Sequence, residues 1–94
     1  MITLQELMEY IRNNGLLAKY HLHKIGIFGS IVRSNNPNDI DLLIEEFTDY
    51  EDLIGLKKEI EAKTGKTVDI VISKHASPII VHRAMKEIQY VSWS

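Results

Sequence analysis

Asn38-Asp39-Ile40-Asp41-Leu42-Leu43-Ile44 is the stretch that decides the fold. Its apolar body is that of a strand, and in a strand residues two apart point to the same face. Asp39 and Asp41 therefore stand side by side at its head, while Ile40 and Leu42 fill the opposite face. Aspartate disfavours strands, and like charges this close repel, so a bound cation is the simplest way to keep both ionised. The plainer alternative has Asp39 capping a turn and Asp41 at a wet sheet edge.

On the N-terminal side, Asn35-Asn36-Pro37-Asn38 is a dense turn cluster. Before it, Lys24 to Phe28 reads as a strand ending in Gly29-Ser30. Thr3 and Glu6 have the spacing of a capping box, and Leu4, Leu7, Met8 and Ile11 recur at helical spacing, which predicts a helix over about residues 3–14. Leu16 to Tyr20 fits either a short helical turn or a loop. On the C-terminal side, Thr48 or Asp49 caps a helix whose stripe is Tyr50, Leu53, Ile54, Lys57 and Ile60, with Gly65 as its stop. Thr67 to Ile72 is a β-branched strand, and Ser77-Pro78 starts a helix ending near Lys86 or Glu87. Ile88 to Trp93 can form a short closing strand. The order α, β, β, α, β, α and a final β predicts an α+β fold, a small mixed β-sheet with helices packed on it, as one domain over residues 1–94.

The chain is 45% hydrophobic and 26% charged, as expected of a soluble globular protein. A net charge of −2 gives no electrostatic reason to expect nucleic-acid binding. With no cysteine, disulfides and thiolate metal sites are excluded, and a reducing cytoplasm is the expected location. No apolar run is long enough to span a membrane.

Two further features join the aspartate pair. At Ile25-Gly26-Ile27-Phe28-Gly29-Ser30, glycine permits close backbone approach to a ligand, and a turn into a helix points amides toward anions. Such a turn is commonly no more than a turn, and no Gly-Lys-Ser/Thr follows to make it a Walker A loop. In Val68-Asp69-Ile70-Val71-Ile72, one carboxylate interrupts an apolar run. It faces solvent on an alternating strand or, if that strand lies beside the first pair, completes a cluster of three carboxylates. Carboxylates and phosphate oxygens are the hard ligands magnesium takes, and two such ions can stabilise both ends of an in-line phosphoryl displacement.

Phe28-Gly29-Ser30-x-x-Arg33, Asn38-Asp39-Ile40-Asp41-Leu42-Leu43 and the later Asp69 resemble the DNA polymerase β-type nucleotidyltransferase superfamily, and within it the minimal nucleotidyltransferases paired as antitoxins with HEPN-domain toxins. The likeness covers nearly the whole chain. It implies that Gly29 and Ser30 hold the triphosphate of ATP, with Arg33 free to clamp a phosphate or to sit solvated in the turn. It further implies that Asp39, Asp41 and Asp69 bind Mg2+, two ions in all, and that Asp69 also activates the acceptor hydroxyl. The loop of eight residues between Ser30 and Asp39 is shorter than is usual in the family, and Ser34 stands where glycine is common. Larger relatives carry a second domain that binds the acceptor, so here a partner molecule brings it, in a homo- or hetero-oligomer. AMP transfer to a hydroxyl of a HEPN toxin is the leading expectation. The alternatives are a non-catalytic nucleotide-binding antitoxin acting by contact, and the catalytic subunit of a small-molecule nucleotidyltransferase.

The remaining candidates read as ordinary surface or core. His21-x-His23 lacks neighbouring carboxylates or cysteines, His75 and His82 have no partners at ligand spacing, and Glu45 and Glu46 end a strand in solvent. Tyr90, Val91 and Trp93 either close the core or form an apolar contact patch, with Trp93 the better interface candidate.

Overall fold

The computed structural model describes residues 2–34 and 38–92. Asn35, Asn36 and Pro37 of the turn cluster and the interface candidate Trp93 lie outside the described residues. Helices α1 (Leu4–Asn13) and α2 (Leu16–Lys19) precede strand β1 (Lys24–Phe28) and the single turn α3 (Ser30–Arg33). Strand β2 (Asp39–Ile44), helix α4 (Tyr50–Thr64) and strand β3 (Thr67–Ile72) follow, then helix α5 (Pro78–Met85) and strand β4 (Gln89–Ser92).

The helix ends follow the capping rules. Thr3 and Glu6 form the reciprocal capping box of α1, with the Glu6 amide donating to Thr3 Oγ1 at 3.0 Å and the Thr3 amide donating to Glu6 Oε1 at 3.0 Å. Asp49 rather than Thr48 caps α4, and Gly65 ends it at φ +72°, where a side chain would be strained. Ser77 caps α5, with Pro78 inside its first turn. Of Leu16 to Tyr20, Leu16–Lys19 is helix with Tyr20 as its C-cap, and Leu16 and Leu17 are buried in the core.

The four strands lie in the order β3-β2-β1-β4, with β2 parallel to β3 and every other pair antiparallel. One sheet face carries Ile25, Ile27, Ile40, Leu42, Ile44, Val68 and Val91 into a single core with Leu7, Ile11, Leu53, Leu56 and Ile60. The expected stripe of α4 is thus corrected. Leu53, Leu56 and Ile60 turn inward, whereas Tyr50 and Ile54 are more than half exposed at 55% and 54%. Tyr50 instead meets Phe47 edge-on at 4.8 Å, and with Ile54, Ile70 and Ile72 it borders a shallow groove beside the edge strand β3.

The other sheet face is covered at one end only. A β-carbon on Gly26 would lie 2.4 Å from Ile88 Cδ1 and 3.2 Å from Tyr90, so the chain after α5 sits directly on the backbone of β1. Tyr90 donates to Glu45 at 2.8 Å while Lys24 lies 3.3 Å from the same carboxylate. Glu45 is therefore a paired residue, not the solvated strand end that its sequence position suggests. The far end of this face, toward the start of β2, carries the aspartates.

Candidate active site

β2 runs between an antiparallel neighbour and a parallel one, and the register sets Phe28 opposite Asp41 on one side and Asp69 opposite Asp41 on the other. Ile40 pairs with Val68, and both are fully buried against the helices. Because side chains alternate, Asp39, Asp41 and Asp69 take the opposite face. Asp39 and Asp69 are exposed, and Asp41 between them is partly buried. Val68 holds this arrangement: a one-residue slip of β3 would expose Val68 and turn Asp69 into the core.

The turn after β1 closes on the same carboxylate. Gly29 adopts φ +82° and ψ −153°, a conformation essentially restricted to glycine. A β-carbon there would stand 2.1 Å from Asp41 Oδ2. Glycine thus both permits the turn and leaves room for the aspartate. Ser30 opens α3, and its hydroxyl donates to the backbone carbonyl of Asp39 at 3.3 Å, tying the turn to the head of β2. Arg33 closes α3 with a largely exposed side chain, paired with Glu87. The Gly29 amide donates to the other oxygen of that carboxylate at 2.7 Å.

A glycine-serine turn at the end of one strand, two aspartates heading its antiparallel neighbour, and a third level with Asp41 on the parallel strand beyond stand together at one end of the sheet. Residues 6–92 match the family described as Polymerase beta, Nucleotidyltransferase. The chain belongs to this nucleotidyltransferase family. It is 30% identical over 97 residues to the protein adenylyltransferase MntA of Thermococcus cleftensis, covering 97% of this chain and 98% of that protein. In fold it is similar to the structure of a tri-AMPylated Shewanella oneidensis HEPN toxin in complex with its MNT antitoxin, with a TM-score of 0.64 and 22% identity, covering 97% of this chain and 74% of that one. A toxin–antitoxin structure with AMP-PNP matches with a TM-score of 0.65 and 21% identity, covering 88% of this chain and 72% of that one.

Carboxylates dominate the electrostatics at this end of the sheet. Burial raises the Asp41 carboxyl above the usual aspartate range, and the charges of Asp69, Asp39 and Glu87 raise it further, with Arg33 opposing them. No lysine, arginine or histidine forms an ion pair with any of the three aspartates among the described residues. Nor, among the described residues, do three acidic or histidine side chains gather closely enough to hold one ion as they stand. The donor set, hard oxygens without a counter-charge on adjacent strands, fits a divalent cation of the magnesium type.

All six residues singled out in the sequence, Gly29, Ser30, Arg33, Asp39, Asp41 and Asp69, lie at this end of the sheet. Glu87 was missed. It follows a helix in a polar stretch and reads as ordinary surface, since its two partners lie 58 and 54 residues away in sequence. Among the described residues, no helix is long and apolar enough to cross a membrane.

Proposed function

We propose that the chain transfers AMP from magnesium-bound ATP to a hydroxyl of a partner protein, a HEPN-type toxin, and thereby neutralises it as the antitoxin of the pair. The observation that carries this reading is the register of Asp41 with Asp69 across parallel strands, beside the Gly29 turn. The curated relative named protein adenylyltransferase and the AMPylated toxin complex support the same reaction for this chain.

In this reading Gly29, Ser30 and Arg33 orient the triphosphate, and Asp39 and Asp41 hold the magnesium that accompanies it. Bound magnesium supplies charge neutralisation at the phosphate oxygens. Asp69 approaches from the neighbouring strand, on the acceptor side. It helps hold a second ion and takes the proton of the attacking hydroxyl. The hydroxyl oxygen forms a bond to the α-phosphorus, the bond to the β-phosphate oxygen breaks, and pyrophosphate leaves with that electron pair. The acceptor hydroxyl comes from the partner, a reading that the AMPylated toxin in the structurally similar complex supports.

Two measurements test this. Magnesium-ATP at about 100 times its dissociation constant stabilises a binding protein by about 2.7 kcal/mol. For a domain of this size that raises the melting temperature by roughly 10 °C or more, and chelator should abolish most of the rise. Asp69→Asn should keep magnesium-ATP binding largely intact while lowering AMP incorporation into the co-purified toxin by about 100-fold. Wild-type transfer by Asp69→Asn would remove Asp69 from the reaction. A toxin complex that forms, and silences the toxin, without AMP transfer would leave inhibition by contact.

A further inference from the structure

Glu87 stands where the proposed triphosphate would bind. Its two carboxylate oxygens are divided between two donors of the turn: Oε2 accepts from the Gly29 amide at 2.7 Å, and Oε1 accepts from the Arg33 guanidinium. A planar anion bridging an amide and a guanidinium makes the pattern of contacts that a phosphate makes with such groups. Its side chain is 23% exposed, and the charge lies near enough to Asp41 to raise that carboxyl. An anion is therefore held beside other anions, and the two turn donors are what compensate it. Glu87 also sits in the short connection between α5 and β4, so its side chain can leave the turn without moving a strand.

We infer that Glu87 is the resident anion of the phosphate-binding turn, a carboxylate that nucleotide must displace from Gly29 and Arg33 in order to bind. This rests on the reading of Gly29, Ser30 and Arg33 as the triphosphate site. In the empty protein Glu87 keeps Arg33 and the strained turn in place. On binding, phosphate oxygens take both donors. On departure of pyrophosphate, Glu87 returns to them. The residue thus sets nucleotide affinity and favours product release, without touching the reacting atoms.

The test is calorimetric titration with magnesium-ATP, magnesium-pyrophosphate and magnesium-tripolyphosphate. Glu87→Gln keeps the shape and an oxygen for the Gly29 amide but removes the charge that competes with phosphate. It should tighten all three ligands by about fivefold to tenfold, on the scale of one charge-assisted contact. Glu87→Asp, one methylene too short to bridge both donors, should tighten them by less. Glu9→Gln, which removes an exposed carboxylate on α1, should change nothing. In an Arg33→Ala background the gain from Glu87→Gln should shrink, since a donor in contest is gone. Equal or weaker binding by Glu87→Gln, with wild-type binding intact, overturns the displacement and leaves the nucleotide site standing. Absence of binding by the wild type and every folded variant overturns the nucleotide site, and the role of Glu87 with it.

Discussion

Replacing Gly29 with alanine tests the turn and the aspartate it closes on in one experiment. The backbone there, at φ +82° and ψ −153°, lies in a region essentially closed to residues with a side chain, and holding one in it costs about 1–3 kcal/mol. The added β-carbon would meet Asp41 Oδ2 at 2.1 Å and Cγ at 3.0 Å, so the carboxylate has to rotate away or the turn has to shift. A domain of this size loses roughly 4–8 °C of melting temperature per kcal/mol, so a fall of about 10 °C is expected. Gly65→Ala is the control. That glycine also has positive φ, at +72°, but nothing lies within 4 Å of its added carbon, so it carries backbone strain without the collision. Melting by circular dichroism, with and without magnesium-ATP, separates the two effects. Both variants should melt below wild type, Gly29→Ala the lower, and Gly29→Ala alone should lose the nucleotide-dependent rise. A Gly29→Ala protein that melts with the wild type, or that gains as much from magnesium-ATP, would refute the packing of this turn on Asp41.

Asp41→Asn should raise the melting temperature of the metal-free protein at neutral pH while removing its response to magnesium-ATP. The sign follows from its raised carboxyl: the folded state binds the proton more tightly than the unfolded chain, so the fold is favoured below the ordinary aspartate value of 3.8 and loses that advantage as pH rises through the raised one. The gain from Asp41→Asn should therefore disappear in melts below about pH 3.8, and a pH-independent gain would point to another cause. Tyr90, whose phenol is pushed up to about 12 by burial and by donation to Glu45, contributes stability that is complete below pH 10 and lost as pH rises toward 12. Tyr90→Phe should cost about 1 kcal/mol at pH 8 in urea unfolding and flatten that alkaline limb, and an unchanged limb would exclude Tyr90 as its source.

Much of this architecture was legible because its signals are local. The Thr3–Glu6 capping box, the Ser77-Pro78 start and the Gly65 stop each act within one turn of helix, and each appears where the spacing places it. The strand aspartates were legible for a related reason: a carboxylate at alternate positions of an apolar strand has a cost that something must offset. What escaped the sequence depends on contacts between distant elements. The inward face of α4 rotated to Leu53, Leu56 and Ile60 because the sheet, and not the helix, chooses which side is covered. Leu43 looked like one more apolar strand residue, yet it is buried outside the main core, on the face opposite Leu42 and Ile44. Glu87 meets Gly29 and Arg33, and Tyr90 meets Glu45, through the segment after α5, which is distant in sequence from each of these partners.

The mixed sheet itself explains why Asp69, distant in sequence, shares one end of it with Asp39 and Asp41. An antiparallel partner on one side of β2 returns the chain so that the end of β1, with its glycine turn, faces the head of β2. A second antiparallel partner reached by a hairpin would place its own residues next to Asp41 only from the opposite chain direction. A parallel partner requires a crossover of a dozen residues or more, and α4 with its flanking turns provides it. That helix lies over the core face through Leu53, Leu56 and Ile60, which leaves the aspartate face open at the site. The third residue of β2 and the third of β3 then stand level, Asp41 beside Asp69. The crossover helix closes the core and brings β3 alongside β2 in parallel, and the burial of Val68 beside Ile40 keeps Asp69 level with Asp41.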